Sequence, residues 1–358
     1  MTYQGFRRPE RLQEMVRMIK LYSEDAPFVV AKPVTLKQVS RLVDISKKEE
    51  GGQGLFLRLK DTKGRLGIKV FRSAHTRPDD RIKRAQRLRS ALMRLTALKG
   101  GDTTTLLLFN ILNIPRQYIA APDGGLTGLL VPTAPPSCFL ETEVMGRRLS
   151  QSVRIGAIIS DRRLIPSRTS SADDPLPTVA KWSFLDSLCQ AISSLHEIGL
   201  IHADISSSNV FVRWPESRDP KAYVIDAFNG FSTTGGNREL GIMRSDVFCP
   251  QSLRRGEYTE ATDVYCLAWW IVHIAVTADP IGAKLQLPSI RDVTEGTKIL
   301  YGRHKYVTEG LEINRGALPS WLFDILEESL RMSPADRPSS RELTYAVHDH
   351  WLNYGDAR

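Results

Sequence analysis

The chain has 358 residues, of which 42% are hydrophobic and 25% charged, a globular composition long enough for one large two-lobed domain or two modest ones. Its four cysteines, Cys138, Cys189, Cys249 and Cys266, follow no C-x-x-C spacing, which argues against structural zinc and a secreted disulfide framework. The N-terminal stretch carries no apolar signal core, and the most apolar run, Val264 to Ala278, is too short to cross a bilayer. The expectation is a cytoplasmic protein without a membrane span. The net charge of +9 is uneven, with about +14 in residues 1–100 and about −5 in the remainder. That asymmetry suits an anionic or acidic partner for the N-terminal part, or only a well-solvated basic face. No aromatic interleaving accompanies the charges, which argues against nucleic acid.

Residues 9–22 repeat Leu12, Met15, Met18, Ile19 and Tyr22 at helical spacing. Leu55–Leu59 and Leu66–Phe71 read as strands joined by Asp-Thr-Lys-Gly, a hairpin signal. Residues 79–98 then read as a basic amphipathic helix with Ile82, Ala85, Leu88, Leu92 and Leu95 on one side. Further strands are expected at Leu106–Leu112, Tyr118–Ala120 and Leu126–Val131. After Pro132 the chain turns to Pro- and Ser-rich connections, and from Trp182 onward it reads as mainly helical. A β-rich half and a helical half imply an α+β protein of two lobes joined by a short linker.

The strongest local signal is His202-Ala203-Asp204-Ile205-Ser206-Ser207-Ser208-Asn209. It follows a helix at Phe184–Ile198 that Gly199 stops, and it precedes the strand-like Val210-Phe211-Val212. With 7 His, 22 Asp and 7 Asn in the chain, an H-x-D-x-x-x-x-N match is expected by chance only about 0.008 times. Phosphoryl transfer uses such a loop because its catalysis is positioning and charge neutralisation: an Asp accepts the hydroxyl proton and an Asn turns back towards a metal ion. The bland alternative is an Asp and an Asn that cap turns. Downstream, Ala222-Tyr223-Val224-Ile225 is an apolar strand leading into Asp226, which alone would read as a turn residue but in this context suits a Mg²⁺ ligand.

With these residues the chain resembles the eukaryotic-type protein kinase superfamily over roughly residues 34–348. The resemblance implies a bilobal protein kinase-like fold of the α+β class, with a β-rich N-lobe at 34–131 and a helical C-lobe at 132–348. An N-terminal extension at 1–33 and a C-terminal tail at 349–358 would flank it. It implies Asp204 as catalytic base, and Asn209 and Asp226 as the metal ligands. Gly67-Ile68-Lys69-Val70-Phe71 is similar to the V-A-I-K strand and makes Lys69 the catalytic phosphate clamp. Gly51-Gly52-Gln53-Gly54 resembles a phosphate-covering glycine loop, with Gly51, Gly52 and Gly54 free of a Cβ that would hold phosphate oxygens away. Val131 and Ala134 would bracket the adenine.

Cys249-Pro250-Gln251 resembles the A-P-E end of an activation segment. Asp263 resembles the helix Asp that braces the catalytic loop, and Arg337 the late Arg that anchors the segment end. The GGQG loop, Leu88–Met93 and Gly128–Pro132 look most like a bacterial kinase-like group encoded with von Willebrand A-type and phosphatase proteins. The implied cofactors are ATP and Mg²⁺, and the implied partner is a protein substrate phosphorylated on Ser or Thr in preference to Tyr.

Several positions depart from that pattern. Ala203 replaces the Arg that pairs with an activation-segment phosphate, and Ser206 replaces a Lys. The helix at 79–98 holds no Glu for Lys69, with Gln86 the nearest polar substitute. Leu57, Ala227-Phe228 and Gln251 replace a glycine, a Phe-Gly pair and a Glu. These losses keep open the alternative of a pseudokinase that senses ATP or serves as a scaffold.

Overall fold

A computed structural model describes residues 30–35, 37, 43–51, 54–60, 66–71, 78–97, 111–144, 147–155, 178–213, 220–228, 233, 237–238, 249–255, 257–276 and 293–356. The expected helix at 9–22, the extension at 1–33 apart from its last residues, and Gly52 lie outside them. The chain divides into two units, residues 1–109 with 114–133, and residues 110–113 with 134–358.

Among the described residues the first unit is a six-stranded sheet with one helix. Strands β1 (Val30–Val34), β2 (Val43–Gly51), β3 (Gly54–Leu59), β4 (Leu66–Phe71), β5 (Gln117–Ala120) and β6 (Leu126–Pro132) lie in the order β1-β5-β6-β4-β3-β2. All pairs are antiparallel except β1 with β5. The hairpin expected between Leu55–Leu59 and Leu66–Phe71 is present, in a register that sets Phe56 opposite Lys69. Val34, Val43, Leu59, Leu66, Ile68, Ile119 and Leu130 form its apolar core. Helix α1 (Pro78–Ala97) carries Asp79 and Asp80 in its first turn, where the amide dipoles favour negative charge. It buries Ala85, Leu88, Ala91, Leu92 and Leu95 and packs on β1, β5 and β6. Gly128 lets β6 approach β4, because a Cβ there would lie 2.5 Å from the Lys69 carbonyl oxygen.

The second unit corrects two expectations. Besides its helices it holds a hairpin, β7 (Phe139–Val144) with β8 (Arg147–Ser152), in the stretch read as Pro- and Ser-rich connection. Its strands are mostly charged and hydroxylic, so no apolar run announces them. The strand expected at Leu106–Leu112 is also corrected where it is described: Leu112 makes only an isolated bridge to Val224, and 106–110 lie outside the described residues. Helix α2 (Thr178–Glu197) is buried nearly all round, from Trp182 through Cys189, and so shows little amphipathic contrast. It packs against strand β10 (Lys221–Val224), which pairs with β9 (Val210–Arg213), and against α4 (Glu260–Ile271) and the last helix.

A short strand β11 (Asn237–Arg238) pairs with β12 (Glu257–Tyr258), and α3 (Pro250–Arg255) lies between them in sequence. Helices α5 (Val293–Ile313), α6 (Ser320–Ser329) and α7 (Ser340–Asp356) complete the unit. Helix α7 runs through most of the 349–358 stretch read as a tail. Helix α4 starts three residues before Asp263, behind a Thr259/Thr262 capping box. All four cysteines are buried free thiols, and no described helix is long and apolar enough to cross a membrane.

Candidate active site

The His202–Asn209 motif begins where α2 is forced to stop. Gly199 takes φ 85°, open to glycine without a Cβ clash, and its N–H closes on the His196 carbonyl. The loop that follows is pinned from behind. The buried Asp263 carboxylate accepts the His202 N–H at 2.7 Å through Oδ2 and the Ala203 N–H at 2.8 Å through Oδ1. The Trp270 indole N–H donates to the Ile205 carbonyl at 3.2 Å. The His202 ring accepts the Asp204 N–H on Nδ1 and donates from Nε2 to the Ile225 carbonyl, at 3.1 and 2.9 Å. This wedge ties the loop to the segment carrying Asp226.

At the front of the loop Asn209 folds back on Asp204. Its Nδ2 donates to the Asp204 Oδ2 at 2.9 Å and to the Asp204 carbonyl at 3.0 Å. The Asn209 carbonyl accepts the Ile225 N–H at 2.9 Å, which sets Asp226 one residue from that contact. Asp204 and Asn209 are buried and Asp226 is half-buried. The structure therefore brings three of the expected site residues together. Among the described non-glycine residues only Ala203 (φ 59°) and Asp226 (φ 62°) sit in the left-handed region. Each costs about 1–2 kcal/mol for an L-residue and persists only where surrounding contacts over-determine it.

Sequence reasoning missed the cluster behind Asp263. His196, in the last turn of α2, is buried; its Nε2 meets Asp263 Oδ2 at 2.9 Å. Its Nδ1 lies 2.7 Å from Ser340 Oγ and 3.3 Å from Glu260 Oε1, and Ser340 also bonds Glu260 at 3.1 Å. Burial alone would lower the imidazole pKa, but hydrogen bonds and charge from Asp263 and Glu260 outweigh it and hold it at about 9. The hydrogen bond from His196 holds the Glu260 carboxyl down at about 2. An imidazolium thus backs the carboxylate that holds the loop. Its only sequence signal was a basic residue in a helix's last turn.

Arg337 does anchor the chain just before α3, though not through Gln251. Its Nη2 donates to Cys249 Sγ at 3.0 Å and to the Met332 carbonyl at 3.2 Å, while Nε and Nη1 take the carbonyls of Arg331 and Ala261 at 2.8 and 2.6 Å. Tyr265 offers its ring face at 5.0 Å.

The remaining expected residues lie as follows. Lys69, half-buried on β4 of the first unit, has its Nζ 5.5 Å from the Phe71 ring centroid. From α1 the residue found on that ring is Arg84, at 5.6 Å. Gln86 is exposed. Gly51 and Gly54 pair across the β2–β3 turn. Val131 is buried on β6 opposite Gly67. Ala134 packs against Cys138, Phe211 and Tyr223 in the second unit. Ser206 is buried and shares a 2.9 Å hydrogen bond with Ser208 Oγ.

No protein-family model matches the chain. It is 25% identical over 194 residues to the non-receptor tyrosine-protein kinase TNK1 of Mus musculus, a match covering 51% of this chain and 26% of that protein. It is 34% identical over 85 residues to the probable serine/threonine-protein kinase zyg-1 of Caenorhabditis elegans, covering 23% of this chain and 12% of that protein. The matches therefore span about a quarter and an eighth of those relatives. The crystal structure of the Mycobacterium tuberculosis PknI kinase domain aligns over 86% of this chain and 96% of its own, at 15% identity and a TM-score of 0.45. Over these partial stretches the chain is similar in sequence to a tyrosine-protein kinase and to a probable serine/threonine-protein kinase.

Proposed function

We propose that the chain is a Mg·ATP-dependent protein kinase acting on a Ser or Thr hydroxyl in preference to Tyr, of the bacterial kinase-like group named above. The observation that carries this reading is the junction of three distant segments: Asn209 on Asp204, Ile225 on Asn209, and Asp263 behind the loop. That junction fixes a carboxylate and its neighbours before any substrate arrives, which is what a positioning catalyst requires.

The donor set fits magnesium. Asn209 commits its Nδ2 inward, which leaves the amide oxygen for a hard cation, and Asp226 follows within one residue of that contact. Among the described residues no three His, Cys, Asp or Glu side chains converge as a metal group. Two protein oxygens plus phosphate oxygens are the ligand supply magnesium commonly uses. The bound metal would neutralise charge on the transferring phosphoryl group. Asp204 accepts the acceptor hydroxyl proton as that oxygen bonds to the γ-phosphorus and the bond to the ADP oxygen breaks. In the first unit Lys69 would take the α/β-phosphates, Gly51, Gly52 and Gly54 would cover them, and Val131 with Ala134 of the linker would flank the adenine.

A pseudokinase reading is favoured by one observation, the cationic Arg84 of α1 on the ring beside Lys69. Asp204→Asn separates the two. An enzyme keeps its nucleotide binding while γ-phosphate transfer falls by about 10²–10⁴. Equal residual transfer in native and variant protein would assign the signal to a contaminant and leave the pseudokinase.

A further inference from the structure

The rim of the catalytic loop carries a guanidinium that the proposed chemistry does not use. Arg154 is exposed and joins Phe211 in an isolated antiparallel bridge directly downstream of the loop. Its Nη1 donates to the Ser208 carbonyl at 3.2 Å, its Nε to Ser152 Oγ at 3.4 Å, and its plane lies 5.1 Å from the Phe211 ring centroid. Among the described residues no carboxylate pairs with it, and its Nη2 carries no hydrogen bond. The loop itself, Ile205 to Ser208, has no charged side chain. The positive charge bonded to the loop at Ser208 is therefore that of Arg154.

We infer that Arg154 selects protein substrates bearing an acidic side chain, carboxylate or phosphate, near the acceptor hydroxyl. The inference rests on the reading of Asp204 as the residue that receives that hydroxyl. A stacked, doubly bonded guanidinium has little rotamer freedom left to lose, and its open edge presents the planar donors that match a carboxylate or phosphate. Reach sets the position. Ser208 is four residues from Asp204, at most about 15 Å of chain, so an extended substrate would meet Arg154 with a residue about two to four positions from the acceptor.

The test uses the full chain and labelled peptides with one acceptor Ser, flanked at those positions by Glu, phosphoserine, Ala or Lys. Binding is read by anisotropy with a non-hydrolysable ATP analogue and Mg²⁺, and phosphorylation is read with Mg·ATP. An exposed charge pair predicts that the Glu peptide binds about fivefold better than the Lys peptide. Phosphoserine, with more charge, ranks above Glu if a phosphate is the natural ligand and level with it if a carboxylate is. Arg154→Glu should invert the Glu/Lys order and Arg154→Gln should level it, the second serving if the first does not fold. An order unchanged in both variants, or no charge discrimination in the native chain, overturns the inference. Phosphorylation of all peptides without discrimination sinks the inference and keeps the kinase reading. Inverted binding with no phosphorylation keeps Arg154 as an acidic-peptide contact, sinks the kinase reading and overturns substrate selection.

Discussion

Replacing His196 with Gln should remove a pH dependence of stability that the buried cluster builds in. An unfolded histidine titrates near 6.5 and His196 in the fold at about 9, so the folded state holds the extra proton. A raised folded pKa gives stability that is full below about 6.5 and is lost as pH rises through about 9. A shift of this size corresponds to about 3 kcal/mol at low pH, of which about 2 kcal/mol should vanish between pH 6 and 8.5. Glu260 has the opposite sign: its folded pKa is depressed to about 2, so its contribution is lost only as pH falls from about 4.5.

Two other groups must be separated from this one. Burial pushes His273 down to about 4, which makes stability fall as pH drops from about 6.5. Burial pushes the Cys138 thiol up to about 12, so ionisation of that thiol in the unfolded chain erodes stability above about pH 8.5. Urea unfolding at pH 6, 7.3 and 8.5, taken as the difference between native and His196→Gln, isolates the imidazole. The variant should be less stable by about 3 kcal/mol at pH 6 and by under 1 kcal/mol at pH 8.5. Parallel curves for the two proteins would refute the reasoning, since they would mean that His196 is not charged in the fold.

Mg·ATP should raise the melting temperature of the native chain, because a ligand of the folded state stabilises by mass action. Asp226→Asn should abolish the magnesium-dependent part, and a native protein that shows no shift at millimolar Mg·ATP would count against nucleotide binding altogether. Gly128→Ala should destabilise the first unit by about 1–3 kcal/mol, as overpacking does. The added Cβ would meet the Lys69 carbonyl oxygen at 2.5 Å, and strand backbone cannot swing aside as a side chain can. An unchanged urea midpoint would contradict that packing.

What was legible in the sequence was local. The β3–β4 hairpin, helix α1 and helix α2 each announce themselves within a short window, through alternation, apolar spacing or a terminal glycine. The loop from His202 to Asn209 was equally legible, because its chemistry lies in fixed offsets along one stretch. The missed strands have two physical causes. Strands β2, β7 and β8 are rich in Lys, Glu, Arg and Ser, so neighbouring strands and not apolar faces define them. Strand β1 pairs in parallel with β5, about ninety residues away, and holds Pro33 at the sheet edge, where a missing N–H is tolerated. The cluster that braces the loop joins His196 to Asp263 and Ser340 across 67 and 144 residues. Nothing local to any of the three reveals the other two. The Thr259/Thr262 capping box, by contrast, is a local signal that marks the start of α4.

The geometry around Ala203 bears on how activity would be controlled. Where an Arg precedes the catalytic Asp, an unpaired buried charge opposes the ordered state until a phosphate on the activation segment neutralises it. Here the residue before Asp204 is a methyl group, 1% exposed, whose N–H is already held by Asp263 at 2.8 Å. Its left-handed φ of 59° is therefore imposed from the α4 side, with no contribution required from a phosphate. On the proposed kinase reading, activity should not require phosphorylation of the segment from Phe228 to Gln251. Thr233, whose N–H bonds to the Gly199 carbonyl at 3.3 Å, is the middle of three adjacent hydroxyl residues there; its neighbours Ser232 and Thr234 lie outside the described residues. Replacing all three with Ala should leave the specific activity within a few-fold of native. A hundredfold loss in phosphate transfer, restored by acidic residues at the same positions, would show instead that a phosphate is needed, and that another cation does the work of the missing Arg.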